Sequence, residues 1–411
     1  MTDQYPRWQK HQVQYALGKR RVVLLAGARQ CGKTTLAKKL SSSNDTYRTL
    51  DIQSFREAAE IDPHEFVHHT DTTMIIDEVQ RVPSLLPAIK KVVDDDTRPG
   101  QYLLTGSANI QALPSVRESL AGRIRKVRLR PLAQGEILKR QPKFFEHAFQ
   151  QSFDFKFDVY NREQTLQLAF RGGFPEAVLL EGKDRQQWHQ DYIEALLERD
   201  LQDITRIQRR EAMVELVKIL AAWSSKFMDI SAIGSGLSIR RPTVESYINA
   251  LEALYLVEKV PAWVRTDYAR VGKQKKLFFA DSGLMSSLLN WRAENLRFNS
   301  YRIGKLIETF VFNELSAQID SNNGEYNIFH YRDREQREID FIVEREDESL
   351  LGVEVKASSS IGRNDFKHLT WFRENVAGHR PFVGIALYSG EIPLSFGKNL
   401  WGIPFGMLWP Q

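Results

Sequence analysis

Apolar side chains first gather at residues 22–26, VVLLA, an unbroken aliphatic run of the kind that forms a strand buried on both faces. The polar stretch GARQCGKTT follows at once, and then TLAKKL, which has helix-forming composition. Met74–Ile76 in TTMIIDEVQ and the run YLLTGS ending at Ser107 repeat the apolar pattern, and residues 46–50 and 125–130 are further strand candidates. Five strands with helices between them predict a doubly wound α/β domain. After Pro131 the pattern turns helical, with amphipathic stretches over 136–210, most clearly at 187–207. EAMVELVKILAAWSSKF, a short helix at DISAIGSG and a third beginning near Pro242 read as a helix-turn-helix over 211–260. In the third helix Val244, Tyr247, Ile248, Leu251 and Leu254 recur at three and four, which makes one apolar face. VPAWVRTDYARVGKQKKLFF then reads as a hairpin. The last third opens with an amphipathic helix, GKLIETFVFNEL (304–315), followed by a strand REIDFIVE (337–344), a polar turn and a second strand LLGVEVKAS.

A chain of 411 residues exceeds one ordinary core, so two to four domains are expected. No apolar run approaches the length needed to cross a bilayer, and MTDQYPRWQKHQ lacks the apolar core of a secretory signal. The single cysteine, Cys31, excludes an intrachain disulfide and suits a reducing cytoplasm. These features predict a cytoplasmic protein without a membrane partner. The net charge of +5 suits a polyanionic partner without establishing one.

The segment Gly27–Thr34 fits G-x-x-x-x-G-K-T between a strand and a helix, which is the context a P-loop requires. Gly27 and Gly32 permit backbone angles that let successive N–H groups of Ala28, Arg29, Gln30, Cys31 and Thr35 point at phosphates. Lys33 reaches the β and γ phosphates as a point charge, and Thr34 offers a hydroxyl to Mg²⁺. Asp77, at the end of the next apolar strand, is expected to hold Mg²⁺ through water, while Glu78 orients and deprotonates the attacking water. Ser107 ends a third strand where ligands of open parallel sheets bind. It is either a sensor of the γ-phosphate or a serine in a turn. Arg123 in SLAGRIRKV either stabilises transition-state charge, in cis or across a subunit boundary, or is solvated. His64, His68 and His69 lack matching ligands and read as a polar helix surface.

GARQCGKTTL, the Leu50–Asp51 pair, MIIDEVQ, LTGSA and SLAGRI together resemble a large prokaryotic family of AAA-type ATPases with a C-terminal domain of unknown function. GGFPEA (172–177), ALLERDL (195–201), TVESYINALEALYLVE and FFADSGL resemble it too, so the likeness covers nearly the whole chain. The resemblance implies ATP hydrolysis with Mg²⁺, and a link to DNA. By analogy with AAA proteins, 136–210 is a helical lid over the nucleotide, with Arg199 as the lid arginine reaching phosphate. The duller reading of Arg199 is a salt bridge on the helix surface. A shared ATP site at Arg123 would make the active form a homo-oligomer.

Arg240 and Arg241 sit at the mouth of the third helix of 211–260, where a recognition helix reaches a groove. Lys273, Lys275 and Lys276 make the following hairpin a basic wing suited to DNA phosphates. In the last third, the period of two puts Glu354 and Lys356 on one face of their strand, and a hairpin brings Asp340 beside them. Asp340 and Glu354 would share Mg²⁺, Lys356 would hold or activate a water, and Glu308 would support the site from its helix. This arrangement resembles the PD-(D/E)xK nuclease superfamily, with Ile339 in place of the proline. The expected organisation is a P-loop ATPase core (1–135), a helical lid (136–210), a winged helix (211–280) and a restriction-endonuclease-like α/β domain (281–411). The expected function is an ATPase that acts on DNA, coupling nucleotide state to the winged helix and a Mg²⁺-dependent nuclease-like domain; the rival readings are an ATP-controlled DNA- or protein-binding switch with a non-cleaving scaffold, and a remodeller of a protein partner.

Overall fold

The computed structural model describes residues 5–70, 72–107, 120–204, 210–265, 273–296, 299–322 and 324–411, without the side chains of 199–204 and 210. Two compact units emerge: one gathers 1–131, 195–206 and 249–256, the other 132–194, 207–248 and 257–411.

In the first unit, β1 (Val22–Ala26), β2 (Thr46–Thr49), β3 (Met74–Asp77), β4 (Tyr102–Gly106) and β5 (Ile124–Arg128) form one sheet in the order β2-β3-β4-β1-β5. Every pairing is parallel. All of β1, β3 and β4 is buried, as continuous apolar runs demand, whereas edge strand β2 is only half-buried. The order matters for chemistry. Because β4 lies between β1 and β3, the carboxyl ends of three strands converge: the loop after β1, Asp77–Glu78 after β3, and Ser107 after β4. Such convergence beyond the strand ends is where open α/β sheets bind ligands.

The second unit contains a helix Arg210–Trp223, a short strand β6 (Lys226–Phe227), a helix Ile230–Gly234 and the first part of a helix Arg241–Ala253, whose remainder from Asn249 belongs to the first unit, then β7 (Val257–Val260) and β8 (Lys276–Phe279). These strands form an antiparallel sheet ordered β6-β8-β7. Along the helix Arg241–Ala253, Val244, Tyr247, Ile248 and Leu251 are buried, as is Leu254 just beyond it, and Arg240, Arg241, Ser246 and Asn249 are exposed. A six-stranded mixed sheet completes the unit, built from β9 (Tyr326–Arg332), β10 (Glu338–Arg345), β11 (Leu350–Val355), β12 (Phe382–Tyr388), β13 (Leu394–Ser395) and β14 (Leu400–Pro404). Its order is β13-β14-β12-β11-β10-β9, with Phe366, Leu369, Phe372 and Phe382 packed in its core. The long helix Ser300–Ser321 buries Leu306, Phe310 and Phe312. Among the described residues no helix is long and apolar enough to cross a membrane.

GGFPEA and FFADSGL meet in this unit for a packing reason. Buried Asp281 accepts hydrogen bonds from the N–H groups of Gly173 and Leu284, each at 2.7 Å. A Cβ on Gly173 would stand 2.0 Å from the Leu132 carbonyl oxygen, so only glycine fits there. Glu314 is another buried carboxyl, accepting from the Gln134 N–H at 2.8 Å and the Trp409 indole at 2.6 Å. Burial nonetheless pushes it from an ordinary 4.5 up to about 8. The folded state thus keeps its proton where the unfolded chain has lost it. Stability from this group is fully present below pH 4.5, declines as pH rises, and is lost above about 8. Glu314→Gln is expected to flatten the fall in melting temperature between pH 5 and 9, measured by calorimetry; an unchanged pH profile would contradict the assignment.

Candidate functional site

The loop after β1 is held by close backbone approaches. A Cβ on Gly27 would lie 2.0 Å from the Leu129 carbonyl oxygen, and the Gly27 N–H donates to Gly106 at 3.4 Å, tying the loop to β4. Gln30 (φ 58°) and Gly32 (φ 99°) both take left-handed angles, and Gly32 caps the helix Lys33–Leu40. Ala28 and Cys31 are buried, Arg29 and Thr35 half-buried, and Gln30 exposed. The Lys33 side chain is buried too, and its ammonium donates to the carbonyls of Gly27 (3.1 Å) and Ala28 (2.8 Å). It lies inside the loop it is expected to share with phosphates.

Asp77 is the hub of the site. It is 1% exposed and accepts from the hydroxyls of Thr34 (3.0 Å), Tyr47 (3.0 Å), Thr49 (3.4 Å) and Thr105 (2.5 Å). Burial first, and then the Asp77 charge, raise the Tyr47 phenol well above its ordinary range, so it remains a donor. The all-oxygen set of Thr34 and Asp77 suits a hard cation such as Mg²⁺. Glu78 sits at φ 59°, and its N–H donates to Thr105 Oγ1 at 3.0 Å, which turns its side chain out of the strand. Gln80 joins the two remaining candidates: its amide donates to Glu78 and, at 2.9 Å, to Ser107 Oγ.

Sequence reasoning missed Tyr47, Thr49, Thr105, Gln80 and Arg7. Arg7 donates to the Cys31 and Arg130 carbonyls, each at 2.6 Å, bracing the loop from a residue 24 positions earlier. Thr105, inside LTGSA, Gln80, inside MIIDEVQ, and Tyr47 and Thr49, inside the strand candidate 46–50, stood in segments already singled out, but without a role.

Arg123 corrects one expectation. Its carbonyl accepts from Val22 N–H at the amino end of β1, so the length of a strand, roughly 16 Å, separates it from the loop after Ala26. Its guanidinium pairs with Asp94, and a role in cis is excluded by position. The side chain of Arg199 and the neighbourhood of Asn109 lie outside the described residues.

A second cluster lies in the second unit. β10 pairs antiparallel with β11, Phe341 opposite Val353, so Asp340 and Glu354 are neighbours as the strand period predicts. The Val355 N–H donates to Asp340 Oδ2 at 2.9 Å, and Lys356 Nζ lies 3.0 Å from Glu354 Oε2. Glu308 joins them, but with an unforeseen partner. Lys276 Nζ is 2.6 Å from Glu308, 2.8 Å from Glu338 and 3.6 Å from Asp340. Lys276 was expected on an exposed basic wing with Lys273 and Lys275; those two are exposed, but Lys276 is 1% exposed. Phe278, two residues on and on the same face, stacks on Phe312 at 4.3 Å and packs on Phe341, which turns Lys276 inward.

Burial opposes the Lys276 charge, but Glu308, Asp340 and Glu338 outweigh it and hold the ammonium protonated. Burial raises the Glu308 and Glu354 carboxyls. Lys305, nearby, donates to the Ala222 carbonyl and is pushed down to about 8 by burial and by Lys226. Among the described residues no group of three or more His, Cys, Asp or Glu is arranged to hold a metal ion. The expected Mg²⁺ between Asp340 and Glu354 therefore does not match these residues, since their shared counter-charge comes from lysines. Arg240 and Arg241 are exposed, Arg241 pairing with Glu245 at 3.0 Å.

Residues 19–138 match the family described as an AAA domain. Residues 162–295 and 303–408 match two families described as domains of unknown function, DUF8612 and DUF4143. Uncharacterized proteins of Mycobacterium tuberculosis and Mycobacterium bovis are each 26% identical over 351 residues, 84% of this chain and 72% of theirs. A Walker-type ATPase of Pyrococcus abyssi has a TM-score of 0.41 at 14% identity, covering 68% of this chain and 94% of that one. AMPPCP-bound DnaA from Aquifex aeolicus has a TM-score of 0.29 at 16% identity, covering 59% and 85%. Sheet order, loop geometry and the match over 19–138 agree on an AAA-type P-loop fold for the first unit.

Proposed function

We propose that the chain hydrolyses Mg·ATP at Gly27–Thr34 and uses the cycle to control a DNA contact made by a winged helix. The observation that carries the catalytic half is the chain Thr34–Asp77–Thr105–Glu78–Gln80–Ser107, which joins the ends of three strands. Lys33 would exchange its two carbonyl acceptors for phosphate oxygens. Mg²⁺, held by Thr34 and through water by Asp77, would supply charge neutralisation at those oxygens. Glu78 would accept the proton of the attacking water, with Gln80 fixing its carboxylate and Ser107 near the γ-phosphate. Arg123, excluded in cis, would serve an adjacent subunit of a homo-oligomer.

The order of helices and strands from Arg210 to Phe279, with exposed Arg240, Arg241, Lys273 and Lys275, supports the winged helix. The six-stranded sheet with Asp340, Glu354 and Lys356 side by side supports a PD-(D/E)xK-like fold. Lys276 among the carboxylates favours a non-cleaving scaffold over a Mg²⁺-dependent nuclease, so the reading is an ATP-controlled DNA-binding switch. The site of action would be the cytoplasm.

The test is ATP turnover with and without duplex DNA, alongside DNA binding across a salt series. Replacing Lys273 and Lys275 by alanine should lower affinity for all duplexes alike and reduce the salt slope by about 1 per lysine. Turnover raised by a protein partner and indifferent to every nucleic acid would instead favour the remodeller.

A further inference from the structure

Four carboxyls, Glu308, Glu338, Asp340 and Glu354, surround two ammonium groups. Oxygen-rich clusters of this kind bind divalent cations when several oxygens can approach one point to roughly 2.0–2.6 Å. Here Glu308 and Glu338 already converge on Lys276 Nζ within 2.8 Å, and Asp340 Oδ1 stands 3.6 Å from it. Asp340 Oδ2 is taken by the Val355 N–H and Glu354 Oε2 by Lys356, while buried Glu354 Oε1 has no hydrogen-bond partner. A second cation in the same place would meet the ammonium at a few ångströms in a poorly solvated site, where repulsion is strong. Access is not the obstacle. A cavity of about 540 Å³, lined by Trp223, Lys226, Tyr301 and Lys305, reaches Glu308 and Glu338 from outside.

We infer that this cluster does not take a divalent cation in the folded chain because the Lys276 ammonium occupies the point on which the carboxyls converge. The inference rests on the cluster's geometry and stands whether or not the chain acts on DNA.

Mn²⁺ is the probe, read by the EPR signal of the free ion in titrations of the full chain without nucleotide. Asp77→Asn is the parent, to silence the P-loop site. The parent should leave Mn²⁺ free. Adding Lys276→Met should bind one Mn²⁺ per chain, and adding Asp340→Asn to that should release it. Because Lys276→Met alone risks misfolding, Lys276→Met/Glu338→Gln, with one carboxylate fewer, is titrated beside it, and folding is checked by near-UV circular dichroism. Mn²⁺ bound by the parent and lost with Asp340→Asn would overturn the inference, as would a folded Lys276→Met chain that binds none.

Discussion

Glu78→Gln is expected to lower kcat for ATP hydrolysis by about 10²–10⁴, the range that a general base contributes. Nucleotide affinity should persist, because the loop from Gly27 to Thr34 and the Asp77 hub are untouched. The substitution keeps size and one hydrogen-bonding oxygen, and so isolates the proton acceptor. Gln80 gives the arrangement a second check. It donates to both Glu78 and Ser107, so Gln80→Ala should also reduce kcat, by less, without raising KM. Single-turnover measurements with a fluorescent ATP analogue separate binding from hydrolysis. Equal turnover in wild type and Glu78→Gln would remove Glu78 from the chemistry and leave it as a strand-end acid.

The largest effect on stability is expected at Lys276. Removing one partner of a buried ion pair costs about 3–5 kcal/mol, because the remaining charge is stranded. Lys276 is 1% exposed and serves three carboxyls, so Lys276→Met should fall in or above that range in chemical denaturation. The loss should grow with pH. Burial raises the Glu308 carboxyl in the folded state, so the stability this group confers is present in acid and lost as pH rises through its folded-state value. Glu308→Gln in the Lys276→Met background should restore part of the loss. Lys273→Ala and Lys275→Ala, on exposed neighbours in the chain, should change stability little. A Lys276→Met chain as stable as wild type would mean that the cluster is wetter than its burial indicates.

The nucleotide loop was legible because its chemistry is local. Gly27, Gly32, Lys33 and Thr34 stand within eight residues, and strand and helix flank them. Asp340 and Glu354 were legible as well, since a period of two and one short hairpin put them together. What stayed hidden depends on distant chain. Arg7 reaches Cys31 and Arg130, and Tyr47 reaches Asp77, across separations that carry no periodic signal. Lys276 shows the same limit in a sharper form. It follows exposed Lys273 and Lys275, and all four residues of KLFF are buried, so no alternation marks it as different. Its neighbours are Glu338, 62 residues on, and Glu308, on the helix Ser300–Ser321. Charge clustering in sequence pointed outward, while packing of Phe278 on Phe312 pointed the side chain inward. Arg123 failed in cis for a simpler reason: in a parallel sheet a residue just before a strand lies at the amino end, opposite the loop after Ala26.

Phosphate release from Mg·ATP by the purified full chain, with Lys33→Ala beside wild type and each run with and without duplex DNA, tests the central claim most directly. The account predicts turnover by wild type, its loss in Lys33→Ala, and a change in rate when DNA is added. Turnover that survives Lys33→Ala, or no turnover under any condition by a folded chain that binds nucleotide, would contradict it.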